Sequence, residues 1–153
     1  MGMKLDLREI KIVSGSSYPP PFADSCAGRS RQRLGEAAGL TDFGVNLTRL
    51  PAGTWSSQRH WHTVEDEFIY VVEGEVVLVT DSGEVTLHAG DCAGFKAGIA
   101  IGHHLQNRTT RDVLYLEVGA RRPRDDAVTY PGIDLQVRKG EEGYSHADGK
   151  PYT

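Results

Sequence analysis

Several features are scarce in this 153-residue chain, and each scarcity excludes a class of protein. There are two cysteines, Cys26 and Cys92. Two are too few for a disulfide scaffold or a thiolate zinc site, so they read as separate reduced thiols. Cys92, just after a turn, is expected to be a small buried side chain. No apolar run approaches the roughly 20 residues that span a bilayer, so no membrane partner is expected. Residues 1–6 carry early charges and no apolar signal core, which points to a cytoplasmic protein. Basic residues are outnumbered, 17 against 21, giving a formal charge of −4. A field of that sign does not gather nucleic acid or anionic lipid. No length is left over for a helix-turn-helix, so a stand-alone DNA-binding regulator is not expected.

Glycine, by contrast, is abundant: 18 residues, about 12% against an average near ~7%. Hydrophobic residues are 39% and charged ones 25%, enough to bury one core at the size of one ordinary domain. Residues 4–14 alternate apolar and polar, which predicts a half-buried strand. A Ser/Pro-rich breaker run follows at 14–21, and residues 29–39 predict a short helical turn that Gly35 and Gly39 keep brief. From Phe43 the character changes. Short Val/Ile/Leu/Tyr-rich segments predict strands near 43–50, 58–62, 67–73, 75–80, 84–88, 91–95, 102–107 and 113–119. Asp81-Ser82-Gly83 between two alternating runs is a hairpin signal. About eight short strands with little helix predict an all-β barrel or sandwich. The expected organisation is an N-terminal strand and irregular arm (1–42), a barrel core (43–120) and a C-terminal arm or lid (121–153), one domain overall.

Six histidines are present, and four fall in two tight groups: His60 with His62, and His103 with His104. Strand residues i and i+2 share a face, so His60 and His62 project together. A turn through 63–66 reverses the chain, and Glu67 opens the next strand on the face of Ile69 and Val71. A carboxylate on that apolar side is costly unless paired or metal-bound. Two imidazoles and a carboxylate suit a divalent transition metal, with Zn, Mn, Fe and Ni all open. A fourth ligand should come from the 102–107 strand. Parity favours His103, which shares the face of Leu105, and a bulge would make it His104 instead. Tyr115 and Glu117 share a face of the last strand. They are candidate acid–base groups if that face is inward, and solvated or interfacial if it is outward. Trp55 and Gln58 are placed near the expected mouth as candidate ligand contacts. His88 and His146 read as surface and tail residues.

His60-x-His62, four residues, Glu67, six residues and Gly74 together resemble the first motif of the cupin superfamily. Six residues separate Gly53 from His60, where the usual pattern has five. The stretch from Gly90 through Gly98 to His103-x-x-x-Asn107 is similar to the second cupin motif. It departs from that motif at Lys96, where proline is usual, and in the four residues between Gly98 and His103, where two are usual. The flanks, including Tyr18-Pro19-Pro20-Pro21-Phe22 and Tyr130-Pro131-Gly132, resemble a subgroup of small single-domain bacterial cupins. The resemblance implies a double-stranded β-helix, or jelly-roll barrel, with one metal inside.

From these residues a metal-binding protein is expected, acting on or binding a sugar, sugar phosphate or oxo-acid at a His3Glu site. The enzymatic form would be a metal-dependent isomerase or an oxygenase-type protein. The alternative is a non-catalytic small-molecule sensor or binding module with a structural metal. Exposed edge strands point to a homodimer.

Overall fold

Alternation sets the architecture of the computed structural model, which describes residues 3–153; Met1 and Gly2, at the start of the expected N-terminal arm, lie outside them. The strands are β1 (Ile12–Ser14), β2 (Ser30–Arg33), β3 (Phe43–Leu50), β4 (Trp61–His62), β5 (Glu67–Glu73) and β6 (Glu75–Thr80). They continue with β7 (Gly83–His88), β8 (Cys92–Phe95), β9 (His103–Gln106), β10 (Val113–Ala120), β11 (Val128–Thr129) and β12 (Gln136–Val137). One short helix, Leu34–Ala37, interrupts them. A six-stranded sheet runs β1-β2-β3-β10-β5-β8, and two three-stranded sheets run β7-β6-β9 and β12-β11-β4. The fold is an all-β jelly roll. Among the described residues no helix is long and apolar enough to cross a membrane.

In β5 the even positions face out and Glu67, Ile69 and Val71 face in. Ile69 and Val71 meet Leu50, Val113 and Tyr115 of the same sheet and Val76, Leu78, Leu87 and Leu105 of the β7-β6-β9 sheet. Each large aliphatic side chain buried here contributes about 1.5–3 kcal/mol. Gly74 makes the β5–β6 turn at φ +88°, and a Cβ there would stand 2.9 Å from the Asp112 carbonyl oxygen. Only glycine meets both conditions. The β6–β7 hairpin closes through Asp81-Ser82, with Thr80 paired to Gly83.

The N-terminal expectation needs correction. Residues 4–14 are not one strand: Leu7–Glu9 is a 3-10 turn, and only Ile12–Ser14 is extended. The Asp6 carboxylate accepts from the Arg8 amide at 3.0 Å, and this local bond wins over alternation. Cys92 is exposed, not buried, because it lies opposite Tyr70 on the outer face of the sheet. The 121–153 arm folds back on its own chain. Val128, Tyr130 and Leu135 form a second small core with Tyr18 and Phe22 of the N-terminal arm. β11 pairs with β4, which fastens the arm to the strand that carries His62.

Candidate metal centre

Three histidines converge on Glu67. His60 and His103 face each other through a reciprocal pair of backbone hydrogen bonds, at 3.2 and 2.9 Å. His62 stands on β4, and Glu67 opens β5 beyond the turn. The Glu67 Oε2 lies 2.6 Å from His103 Nε2 and 3.5 Å from His60 Nε2. Its Oε1 lies 3.4 Å from His62 Nε2. All four side chains are largely buried.

The far nitrogens explain why Nε2 is the atom presented. His60 Nδ1 donates to the Gln58 carbonyl at 2.8 Å. His62 Nδ1 lies 2.6 Å from Asp126 Oδ2. A histidine whose Nδ1–H is held in this way keeps its Nε2 lone pair for a cation. His103 is clamped differently: its ring stacks on Phe95 at 3.7 Å between centroids. The donor set of imidazole nitrogens plus one carboxylate fits a divalent transition metal.

With no cation in the cluster the carboxylates favour a proton on His62, which a bound metal would displace from Nε2. Burial opposes ionisation of Glu67, but hydrogen bonds from His103, His60 and His62 outweigh it and hold the carboxyl far below its usual range. Burial likewise opposes charge on His62, yet Glu67 and Asp126 together raise it to about 9. His103, with Glu67 alone, is pushed down by burial. His62 has a second carboxylate, Asp126, whereas His103 also faces the charges of His60 and His62, which push it down further.

Asp126 escaped the sequence reading. It is 6% exposed, in the C-terminal arm. Besides His62 it accepts from the Val64 and Glu65 amides at 2.8 and 3.2 Å, which fixes the 63–66 turn. With Glu65 and His62 it forms a second group of possible donors.

His104 is placed elsewhere. Its Nδ1 donates to the Ser57 carbonyl at 2.8 Å, and Trp55 meets it edge-on. Burial pushes its pKa down to about 4, so it stays neutral. Trp55 and Gln58 do not line the cavity described below. The Gln58 amide donates to the Phe22 carbonyl and to Ser25 Oγ, at 2.8 and 3.0 Å, which anchors the N-terminal arm. His88 is exposed beside Glu75, and His146 is bound to Asp134 and stacked on Tyr152.

The cluster opens into a cavity of about 970 Å3. The face of Tyr115 and Glu117 is the inner one. Tyr115 is 1% exposed, and its O–H points at Glu117 Oε2 over 3.4 Å. Glu117 Oε1 accepts from Asn46 Nδ2 at 3.0 Å and pairs with Arg31 at 3.1 Å. Glu117 is in register with Ile69, and Gly119 with Glu67. The polar group therefore lies two positions along the sheet from the cluster, on the same wall. Burial and the Glu117 charge raise Tyr115 well above its usual pKa, so it stays an O–H donor.

The cupin domain family model matches residues 46–119, a span that holds the whole cluster. A solved structure from Silicibacter pomeroyi DSS-3, a sugar phosphate isomerase from the cupin superfamily, is 45% identical, with a TM-score of 0.91 over 98% of this chain and 96% of that one. The chain belongs to the cupin superfamily. A second solved structure, of a candidate sugar phosphate isomerase from Acidithiobacillus ferrooxidans ATCC 23270, is 29% identical, with a TM-score of 0.73 over 80% of this chain and 77% of that one. A protein from Thermotoga maritima described as a predicted oxalate decarboxylase is 22% identical, with a TM-score of 0.63 over 78% of this chain and 100% of that one, and shares the fold. No curated protein matches this cupin. Cupins typically hold divalent metals, and the His/Glu cluster of this one suits that role.

Proposed function

We propose that this cupin is a metal-dependent isomerase of a small phosphorylated sugar. His60, His62, Glu67 and His103 hold one divalent metal. The carrying observation is that one cavity contains both this donor set and the Glu117–Tyr115 pair. The 45% identity with a protein described as a sugar phosphate isomerase supports the substrate class.

The metal, when bound, supplies Lewis-acid polarisation of a substrate oxygen. The chain supplies the proton handling. In aldose–ketose interconversion a proton leaves the carbon beside the carbonyl and returns to the former carbonyl carbon, while the proton of the neighbouring hydroxyl passes to the former carbonyl oxygen. Glu117, a carboxylate held by Arg31 and Asn46, takes and returns the carbon-bound proton. The Tyr115 O–H donates to the oxygen where charge develops. No oxidant or reductant is consumed.

A panel of aldose and ketose phosphates, followed by proton exchange with deuterated water, tests the reading. Interconversion with exchange at the carbon beside the carbonyl is expected. Thermal stabilisation by the same compounds without turnover would instead mark a binding module.

Asp126 acts through His62, so Asp126→Asn should lower metal affinity about 10–100-fold while the fold persists. A chelator-competition titration measures this; unchanged affinity would remove Asp126 from the centre.

The outer face of the six-stranded sheet supports a homodimer. Phe68, Tyr70 and Val72 are each more than 40% exposed. Leu116 stands between Tyr70 and Leu47, and Val118 between Phe68 and Val45. An apolar face of this extent is suited to a second copy packed on it. Tyr70→Asp should convert a dimer to a monomer in sedimentation at micromolar concentration; a monomeric wild type would contradict the interface.

A further inference from the structure

Four arginines of the cavity wall differ in how fully their charge is used. Arg29 is spent on the backbone, donating to the Ser56 and Gly15 carbonyls at 2.5 and 2.9 Å. Arg31 is paired with Glu117. Arg124 lies at the exposed rim. Arg121 is the unusual one.

Arg121 follows β10, and its amide donates to the Asp42 carbonyl at 3.1 Å. Its guanidinium lies over Gly44: a Cβ on Gly44 would stand 2.6 Å from Nε and 2.7 Å from Nη2. Gly44 is buried within β3 and has no positive φ, so its backbone does not call for glycine. Glycine weakens a strand interior, and there it often marks close approach of another group. Here the group is the guanidinium. Gly44 is in register with Gly119, and Gly119 with Glu67. The seat is thus level with the Glu67 carboxylate, on the wall the cavity shares. The nearest ion-pair partner, Glu36 Oε1, is 4.0 Å away, and both side chains are about half exposed. The guanidinium is planar, half exposed and held by no close ion pair, with the Glu65 charge also in range, and such a group matches a phosphate bidentately.

We infer that Arg121, seated on Gly44, binds the phosphate of the substrate while the sugar end reaches the metal cluster. The inference deepens the isomerase reading and rests on it for the nature of the ligand. Arg121 is a specificity residue, with no part in proton transfer. A neutral sugar loses this anchor, so discrimination by phosphate is built into the cavity mouth.

Isothermal titration of inorganic phosphate into the full-length protein, its metal content measured beforehand, tests the assignment. Arg121→Ala should weaken phosphate at least ~10-fold, and Arg121→Lys by less. Gly44→Ala should weaken it similarly while keeping the charge, because the new methyl group displaces the guanidinium. Circular dichroism checks that Gly44→Ala folds; if it does not, Arg121→Ala decides alone. Phosphate binding within about twofold of wild type in Arg121→Ala, or no binding by wild type, overturns the assignment. Arg121-dependent phosphate binding without sugar-phosphate turnover would uphold it and sink the isomerase reading. Turnover with an unchanged KM for the phosphorylated substrate in Arg121→Ala would do the reverse.

Discussion

Glu67→Ala should strip the protein of the divalent metal proposed for it. Glu67 is the one carboxylate that all three imidazole Nε2 atoms face, at 2.6 to 3.5 Å. A four-ligand site binds with roughly 10–16 kcal/mol, so one ligand in four is worth about 3–4 kcal/mol, or about 10²–10³-fold in affinity. The loss of negative charge adds to this, because the remaining ligands are neutral. His60→Ala should act in the same direction. Elemental analysis after dialysis reads both variants against wild type. The far-ultraviolet spectrum should stay native, because the apolar core of Leu50, Val71, Val76 and Val113 lies away from the substitutions. Metal retained at wild-type stoichiometry in both variants would remove the cluster from consideration.

Glu117→Gln should abolish most turnover while leaving metal content intact. The amide keeps the shape of the carboxylate but cannot accept a proton from carbon. A positioned general base contributes typically about 10²–10⁴-fold, and kcat should fall by that range. Arg31 loses its partner, which costs some stability, and thermal unfolding would register it. Tyr115→Phe removes a donor and no charge, so its loss should be smaller. If Glu117→Gln turns over sugar phosphates at the wild-type rate, the proton is handled elsewhere.

Much of the barrel was legible because its strands carry a two-residue period. The expected limits 43–50, 67–73 and 75–80 are those of β3, β5 and β6. The same period placed Glu67 inward beside Ile69 and Val71. It worked less well in β9, where His103, His104 and Leu105 are all buried. Residues 54–60 run along the edge of that strand, joined to it by backbone hydrogen bonds, and Trp55 and the Ser57 carbonyl bury His104, so alternation in polarity disappears. His103 and His104 are both buried, in different surroundings, one on Glu67 and the other on Trp55.

What escaped the sequence came from long range or from local capping. Asp126 reaches His62 from the C-terminal arm, 64 positions away. A lone aspartate in a polar tail has no periodicity to betray it, and only the β4–β11 pairing brings it home. Gly44 looked like one glycine among many, and its use as a seat for Arg121 needs the β3–β10 register. At the N-terminus an alternating pattern gave way to a turn because Asp6 caps it. Trp55 and Gln58 sit near the ligands in sequence, yet Trp55 packs on His104 and Gln58 is bound to Phe22 and Ser25 of the N-terminal arm.

The central claim is that His60, His62, Glu67 and His103 jointly hold one divalent cation. Anomalous diffraction from crystals grown with a transition metal tests it directly. The expected result is one strong peak about 2.0–2.2 Å from the three Nε2 atoms and the Glu67 carboxylate. A peak between His62, Glu65 and Asp126 instead, or none inside the barrel at saturating metal, would contradict it.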